Sequence, residues 1–101
     1  EAVVRWPEKL RWIDSARHPT IELDPVPLVV FPPRGLYRDD MIKAIEERGR
    51  RWRISFTTSS LSGIQAAVAD GLGISVLPAR AVTDEHVVLT ATQGFAPIEN
   101  M

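Results

Sequence analysis

The segment from Ser59 to Pro78 constrains the fold more than any other part of this chain. It combines a serine-rich lead, an amphipathic helix, a glycine turn and a short apolar strand. Leu61, Ile64, Val68 and Leu72 recur at helical spacing and mark one apolar stripe. Ala66, Ala67 and Ala69 favour the helix and let it lie close to a sheet. Two N-terminal caps are compatible with the residues: a box from Ser62 to Gln65, or an earlier cap at Ser59 or Ser60. Gly71 and Gly73 supply the stop, Ile74 to Leu77 reads as a strand covered on both faces, and Pro78 ends it.

The rest of the chain reads as strands and one further helix. Residues 1–8 form a lead-in, with Pro7 limiting regular structure. Leu10 to Ile13 is a first strand, Asp14 to Pro19 a turn, and Pro25 and Pro27 punctuate a loop. Leu28 to Phe31 is a continuous apolar strand, broken by Pro32-Pro33-Arg34-Gly35. The spacing of Tyr37, Met41, Ile42 and Ile45 predicts a helix over 36–48, with Asp39 and Asp40 near its start and Gly49 at its end. Trp52, Ile54 and Phe56 alternate with Arg53, Ser55 and Thr57, as in a half-buried strand. A helical turn is expected at 79–82 and a last strand at 87–89, with residues 91–101 as a tail. Strands joined by helices of this length imply right-handed crossovers and an α/β fold with a mostly parallel sheet and flanking helices.

Composition narrows the function. The 101 residues suit one small domain, and a 45% hydrophobic content suffices for one core. A net charge of −1 argues against a nucleic-acid-binding module, which carries a basic excess on one face. No cysteine is present, which removes disulfides and thiolate metal sites and fits a reducing cytoplasm. No apolar run approaches the ~18 residues a membrane span needs. The chain opens on Glu1, so an upstream segment is compatible with it.

Catalysis finds no support. The two histidines, His18 and His86, fall in predicted turns away from any nucleophile and read as solvated loop residues. Asp39-Asp40 and Glu46-Glu47 read as a solvated helix surface. Nucleophile elbow, phosphate loop, dinucleotide fingerprint and zinc spacing are all missing, and Gly71-Leu72-Gly73 follows a helix rather than a strand. The cations Arg48, Arg50, Arg51 and Arg53 read as an answer to a helix C-terminus. Trp6, Trp12 and Trp52 read as core or subunit-contact aromatics.

Binding is better supported. In open parallel sheets, ligands sit beyond the carboxyl ends of the strands. Three segments share that edge: Phe31 to Leu36, Thr57 to Leu61, and Pro78-Ala79. Helix-start amides, hydroxyls and one arginine there suit a carboxylate or phosphate.

The order and spacing of these segments resemble the effector-binding domain of LysR-type transcriptional regulators, over roughly residues 9–90. Leu10 to Pro19 resembles the strand and His-Pro turn that open the second lobe of that domain. Leu28 to Pro33 followed by Leu36-Tyr37-Arg38 resembles its next strand and helix start, and Ser59 to Pro78 is the most specific match. The resemblance implies one lobe of a type 2 periplasmic-binding-protein-like fold, with residues 1–8 as hinge lead-in and 91–101 as the return crossing to the other lobe. It implies a cytoplasmic regulator without catalysis or cofactor, and an inducer bound between the lobes. Carried over by position, this lobe's share of the cleft is Pro32, Pro33, Arg34, Gly35, Thr58, Ser59 and Ser60, with Pro78 at its margin; Arg34 is compatible with an anionic inducer. The family works as a homo-oligomer and binds DNA through an N-terminal winged helix-turn-helix that this sequence does not contain. A lobe of a transport solute-binding protein is the alternative on the same fold, and an α/β enzyme a more distant one. A lobe cut from its partners is expected to self-associate through a helix face or an exposed strand edge.

Overall fold

The computed structural model describes residues 10–32 and 36–90. The lead-in at 1–8, Trp6, the Pro33-Arg34-Gly35 segment and the tail at 91–101 lie outside the described residues. In chain order the elements are β1 (Leu10–Ser15), β2 (Val26–Val30), α1 (Leu36–Glu47), β3 (Trp52–Thr57), α2 (Leu61–Ala69), β4 (Ser75–Pro78), a 3-10 turn (Ala79–Ala81) and β5 (His86–Leu89).

The strands form two sheets, β2-β3 and β4-β1-β5. A parallel bridge between Leu28 and Ile74 joins them. Val29 N donates to Ile74 O (2.9 Å) and Ile74 N to Pro27 O (3.0 Å). The strands therefore run in the order β3-β2-β4-β1-β5. The parallel half is the part linked by helices, β2-α1-β3 and β3-α2-β4. The sheet as a whole is mixed rather than mostly parallel, because β1 runs antiparallel to both β4 and β5. The reason is the loop at 16–25, which carries no helix and reverses the chain between β1 and β2.

The core lies between the sheet and the helices. Leu10, Trp12, Ile13, Leu28, Met41, Ile45, Ile64 and Ile74 are all buried. Trp12 is thus a core aromatic, while Trp52 is half-buried with its indole N–H donating to Glu46 Oε2 (3.0 Å).

Several local expectations change. The helix α2 stops at Ala69, with Gly71 at φ +84, so Leu72 leaves the apolar stripe and is 42% exposed. The alternation in β3 breaks at a bulge. Leu28 faces Ile54 but the next residue, Val29, faces Phe56, so Ser55 is the extra residue. The shift puts Phe56 on the opposite face from Trp52 and Ile54, where it is 41% exposed. Pro27 lies inside β2 rather than in the preceding loop. The Asp24-Pro25 peptide bond is cis.

The turn after β1 is organised by two residues that sequence patterning assigned no role. Asp14 is fully buried. Its carboxylate accepts from Ser15 N (2.8 Å), Thr20 N (2.9 and 3.0 Å), Thr20 Oγ1 (3.1 Å) and Ile21 N (3.0 Å). The Ser15 hydroxyl accepts from Arg17 N (3.2 Å) and His18 N (2.9 Å) and donates to Ala69 O (3.0 Å).

Candidate functional site

Because β2, β3 and β4 run in the same direction, their carboxyl ends meet at one edge of the molecule. Thr58 N donates to Val30 O (3.1 Å), carrying the β2-β3 ladder one step past the strands. This brings the segment after β3 beside Pro32, which follows β2 and is half-buried. Pro78 closes β4 at the same edge and is buried. Pro32, Thr58, Ser59, Ser60 and Pro78 therefore converge there. Pro33, Arg34 and Gly35 belong to the segment outside the described residues.

The start of α2 is built by its own hydroxyls. Ser60 is the cap, with φ −93 and ψ 129, and its Oγ accepts from Gly63 N (3.1 Å). Its own N–H donates to Thr58 Oγ1 (3.1 Å), and its Oγ lies 3.0 Å from Ser62 Oγ. This selects Ser60 among the caps the sequence allowed. Gln65 takes no part in capping: its Nε2 donates to Ala81 O (2.7 Å). The Leu61 and Ser62 amides precede the first intrahelical bond, which runs from Ile64 N to Ser60 O (3.0 Å). Positive partial charge at a helix start, with hydroxyls beside it, suits an anionic or polar small molecule.

Two arginines that sequence reasoning did not single out as site residues stand at this edge. Arg38, in the first turn of α1, reaches back with Nη1 donating to Phe31 O (3.4 Å). Arg80 is exposed in the 3-10 turn directly after Pro78. Their signal in the sequence was position alone, each lying within a few residues of a strand's carboxyl end. The Phe31 and Tyr37 rings pack at 5.9 Å with a 59° tilt.

The chain also enters and leaves at this edge. Leu10, the first residue of β1, lies opposite Pro78. Leu89, the last of β5, lies opposite Trp12.

Arg50 and Arg51 serve the other end of the sheet. Arg50 Nη2 donates to Ile21 O (2.8 Å) and Leu23 O (3.0 Å), and Arg51 pairs with Asp24 (2.9 Å). The hydrogen bond from Arg51, opposed by slight desolvation and helped by its charge and that of Arg50, holds the Asp24 carboxyl below its ordinary range. These two cations tie down a loop, and α1 has no basic residue in its last turn to answer its dipole.

His86 is buried at the start of β5 rather than solvated in a turn. Its Nδ1 accepts from Thr83 N (3.0 Å) and its Nε2 donates to Gln65 O (3.0 Å). Both ring nitrogens are occupied, so the ring has no atom left for proton transfer to a substrate. His18 is exposed in the loop, as expected. Among the described residues no group of three or more His, Cys, Asp or Glu side chains is placed to hold a metal ion. No helix among them is long and apolar enough to cross a membrane.

Comparison with known proteins agrees with this architecture. The family model described as LysR substrate binding domain matches residues 1–97. The chain is 28% identical over 91 residues to the HTH-type transcriptional regulator DgdR of Burkholderia cepacia, covering 90% of this chain and 31% of that protein. Full-length HypT from Salmonella typhimurium, a hypochlorite-specific LysR-type transcriptional regulator, superposes with a TM-score of 0.72 at 20% identity, over 88% of this chain and 34% of that one. The CcmR regulatory domain of Synechocystis PCC6803, in complex with 2-PG, gives 0.61 at 20% identity, over 80% and 45%. The chain thus spans about a third of the length of the curated relative, and its homologue is a transcriptional regulator rather than an enzyme. With the family model covering all but the last four residues, this chain belongs to the LysR substrate binding domain family.

Proposed function

We propose that this chain is the second effector-sensing lobe of a LysR-type transcriptional regulator. In this reading residues 9–90 are the lobe, 1–8 the incoming hinge, and 91–101 the return crossing to a first lobe. The observation that carries it is the meeting, on one edge, of the Thr58-Ser59-Ser60 helix start, Pro32, Pro78, the start of β1 and the end of β5. Two adjacent crossings beside a polar ligand edge form a hinge, and a molecule held at that edge is held between the lobes. An inducer that binds the closed arrangement more tightly than the open one shifts the balance between them, and with it the arrangement of subunits on DNA.

The inducer's share of this lobe is Pro32, Pro33, Arg34, Gly35, Thr58, Ser59 and Ser60, with Pro78 at the margin. Arg38 and Arg80 at the same edge, and the 2-PG complex of the similar CcmR domain, support an anionic inducer. DNA binding belongs to an N-terminal domain outside this sequence, and the protein works in the cytoplasm as a homo-oligomer. No cofactor is required. The curated relative DgdR, a transcriptional regulator, favours this reading over transport.

Sequencing the reading frame upstream of Glu1 tests the assignment. A helix-turn-helix followed by another α/β lobe is expected; a secretory signal there overturns it in favour of transport. Closure needs both lobes, so calorimetry on this chain alone should give weak or undetectable binding of small carboxylates. A sub-micromolar dissociation constant would show that one lobe suffices.

A further inference from the structure

We propose that Gly63 is a positioning residue of the ligand edge: its missing side chain holds the Thr58 hydroxyl in the one rotamer that receives the Ser60 N–H and leaves the hydroxyl proton for an acceptor oxygen of a bound molecule. The proposal rests on the reading of that edge as the effector site, but its test needs no effector.

Gly63 is the third residue of α2, and its backbone is helical; among the described glycines only Gly49 and Gly71 have a positive φ. A glycine inside a helix weakens it relative to alanine. At this position it also forgoes the Glu or Gln that a capping box places three residues after the cap. Neither backbone conformation nor capping therefore asks for glycine here, but a contact does. A Cβ on residue 63 would stand 2.8 Å from Thr58 Oγ1, 3.1 Å from Thr58 Cγ2 and 3.4 Å from Ser60 Cβ. The first two atoms are the two heavy branches of one side chain, so Thr58 turns both of them toward the bare Cα of Gly63.

Thr58 has no rotamer that clears the space. Its backbone is tied to β2 by the bond from its N–H to Val30 O (3.1 Å). Its χ1 has three staggered wells, and two heavy branches share the three positions. Two of those positions lie against residue 63, so every rotamer leaves at least one heavy branch there. In the present rotamer Oγ1 accepts from Ser60 N (3.1 Å), and either of the others carries Oγ1 off that bond. A hydroxyl has one proton and two lone pairs. Ser60 takes a lone pair, and no described residue takes the proton. Thr58 is half-buried at the edge, where that proton suits an acceptor such as a carboxylate oxygen. A methyl group at residue 63 would thus strengthen the helix and misdirect this donor.

A double-mutant cycle of Gly63→Ala and Thr58→Ala on this chain, with the Thr58 rotamer read by NMR, tests the proposal. In the Thr58→Ala background, Gly63→Ala should raise the folding equilibrium constant about two- to fivefold in urea titrations, the ordinary gain of alanine over glycine in a helix. In the wild-type background the same change should bring no gain or a loss. Three-bond couplings from Thr58 Cγ2 to its own N and carbonyl carbon should report one rotamer in the wild type and a different or averaged one in Gly63→Ala. Exchange of the Ser60 N–H should be about two- to tenfold faster in that variant, for the loss of one hydrogen bond. Ala66→Gly, which weakens α2 from its exposed side, should leave the couplings as in the wild type. An equal gain in both backgrounds, unchanged couplings in Gly63→Ala, or the same change in Ala66→Gly each overturns the proposal. If Gly63→Ala alone does not fold, the double variant decides: a folded double variant supports the contact and an unfolded one overturns it. A failure of the effector reading would appear separately, in the upstream sequence and the calorimetry.

Discussion

Gly73 lies so close to Pro27 that a Cβ on it would stand 2.6 Å from the Pro27 carbonyl oxygen and 2.9 Å from its carbon. The same carbonyl accepts from Ile74 N (3.0 Å), the contact that joins β4 to β2 and so unites the two sheets. The obstacle is backbone on both sides and cannot swing away. Gly73→Ala is expected to cost about 1–3 kcal/mol, the range for inserting a methyl group into a packed interior. Urea denaturation would measure it; an unchanged midpoint would show that the strands separate without cost.

The carboxylate of Asp14 is the hub of the turn after β1. Asn at this position keeps the shape but turns an amide NH2 towards the backbone donors of Thr20 or Ile21. Asp14→Asn should destabilise the chain by about 3 kcal/mol, since bonds to a charged acceptor are worth roughly 1.5–3 kcal/mol and buried donors are left unpaired. A thermal or urea midpoint close to wild type would contradict this account.

Ser75 Oγ is buried without a hydrogen-bond partner among the described residues. Removing an unsatisfied hydroxyl lifts a desolvation penalty and leaves only a small void. Ser75→Ala should therefore be neutral or stabilising by up to about 1 kcal/mol. A clear loss of stability would reveal a partner for that oxygen.

The Asp24–Arg51 pair is exposed, so its contribution is small and screened by salt. The Asp24 pKa is lowered in the folded state, chiefly by the hydrogen bond from Arg51. The unfolded chain therefore binds the proton more readily, and the contribution is present above the ordinary value of 3.8 and lost as pH falls through the lowered one. Urea midpoints of wild type and Asp24→Asn should differ slightly at neutral pH and converge in acid. A difference that grows in acid would reverse the sign.

Phe56 and Leu72 are 41% and 42% exposed, and the Ser55 hydroxyl donates to Leu72 O, which draws the second onto the edge strand that carries the first. Surface of this kind suits subunit contact. Phe56→Ser should change stability by no more than about 1 kcal/mol while lowering the self-associated mass at high concentration. Light scattering that finds both proteins strictly monomeric would remove the strand from the interface.

How much of this was legible beforehand differs by element. The helix around Ile64 and Val68 was readable from its apolar spacing, and the strand at Leu28 to Val30 from a short β-branched run bounded by prolines. The meeting of Thr58 to Ser60 and Pro78 at one edge was readable from strand order, since they follow strands that run the same way. Arg38 and Arg80 were not picked out, because nothing local distinguishes an arginine at a strand's carboxyl end from one on any surface.

The sequence by itself determined the alternation of strands and helices, the helix around Ile64 and Val68, and the family resemblance, because periodicity, glycine stops and proline breaks act over a few residues. Tertiary structure alone decided the direction of β1, the bulge that turned Phe56 outward, the burial of His86 against Gln65 and the carboxylate hub at Asp14. The first three depend on a partner many residues away, Trp12 on Leu89, Val29 on Phe56, His86 on Gln65, and the Asp14 hub on a turn that brings Thr20 and Ile21 back to it, and no local pattern records which group will complete a hydrogen bond or cover a face.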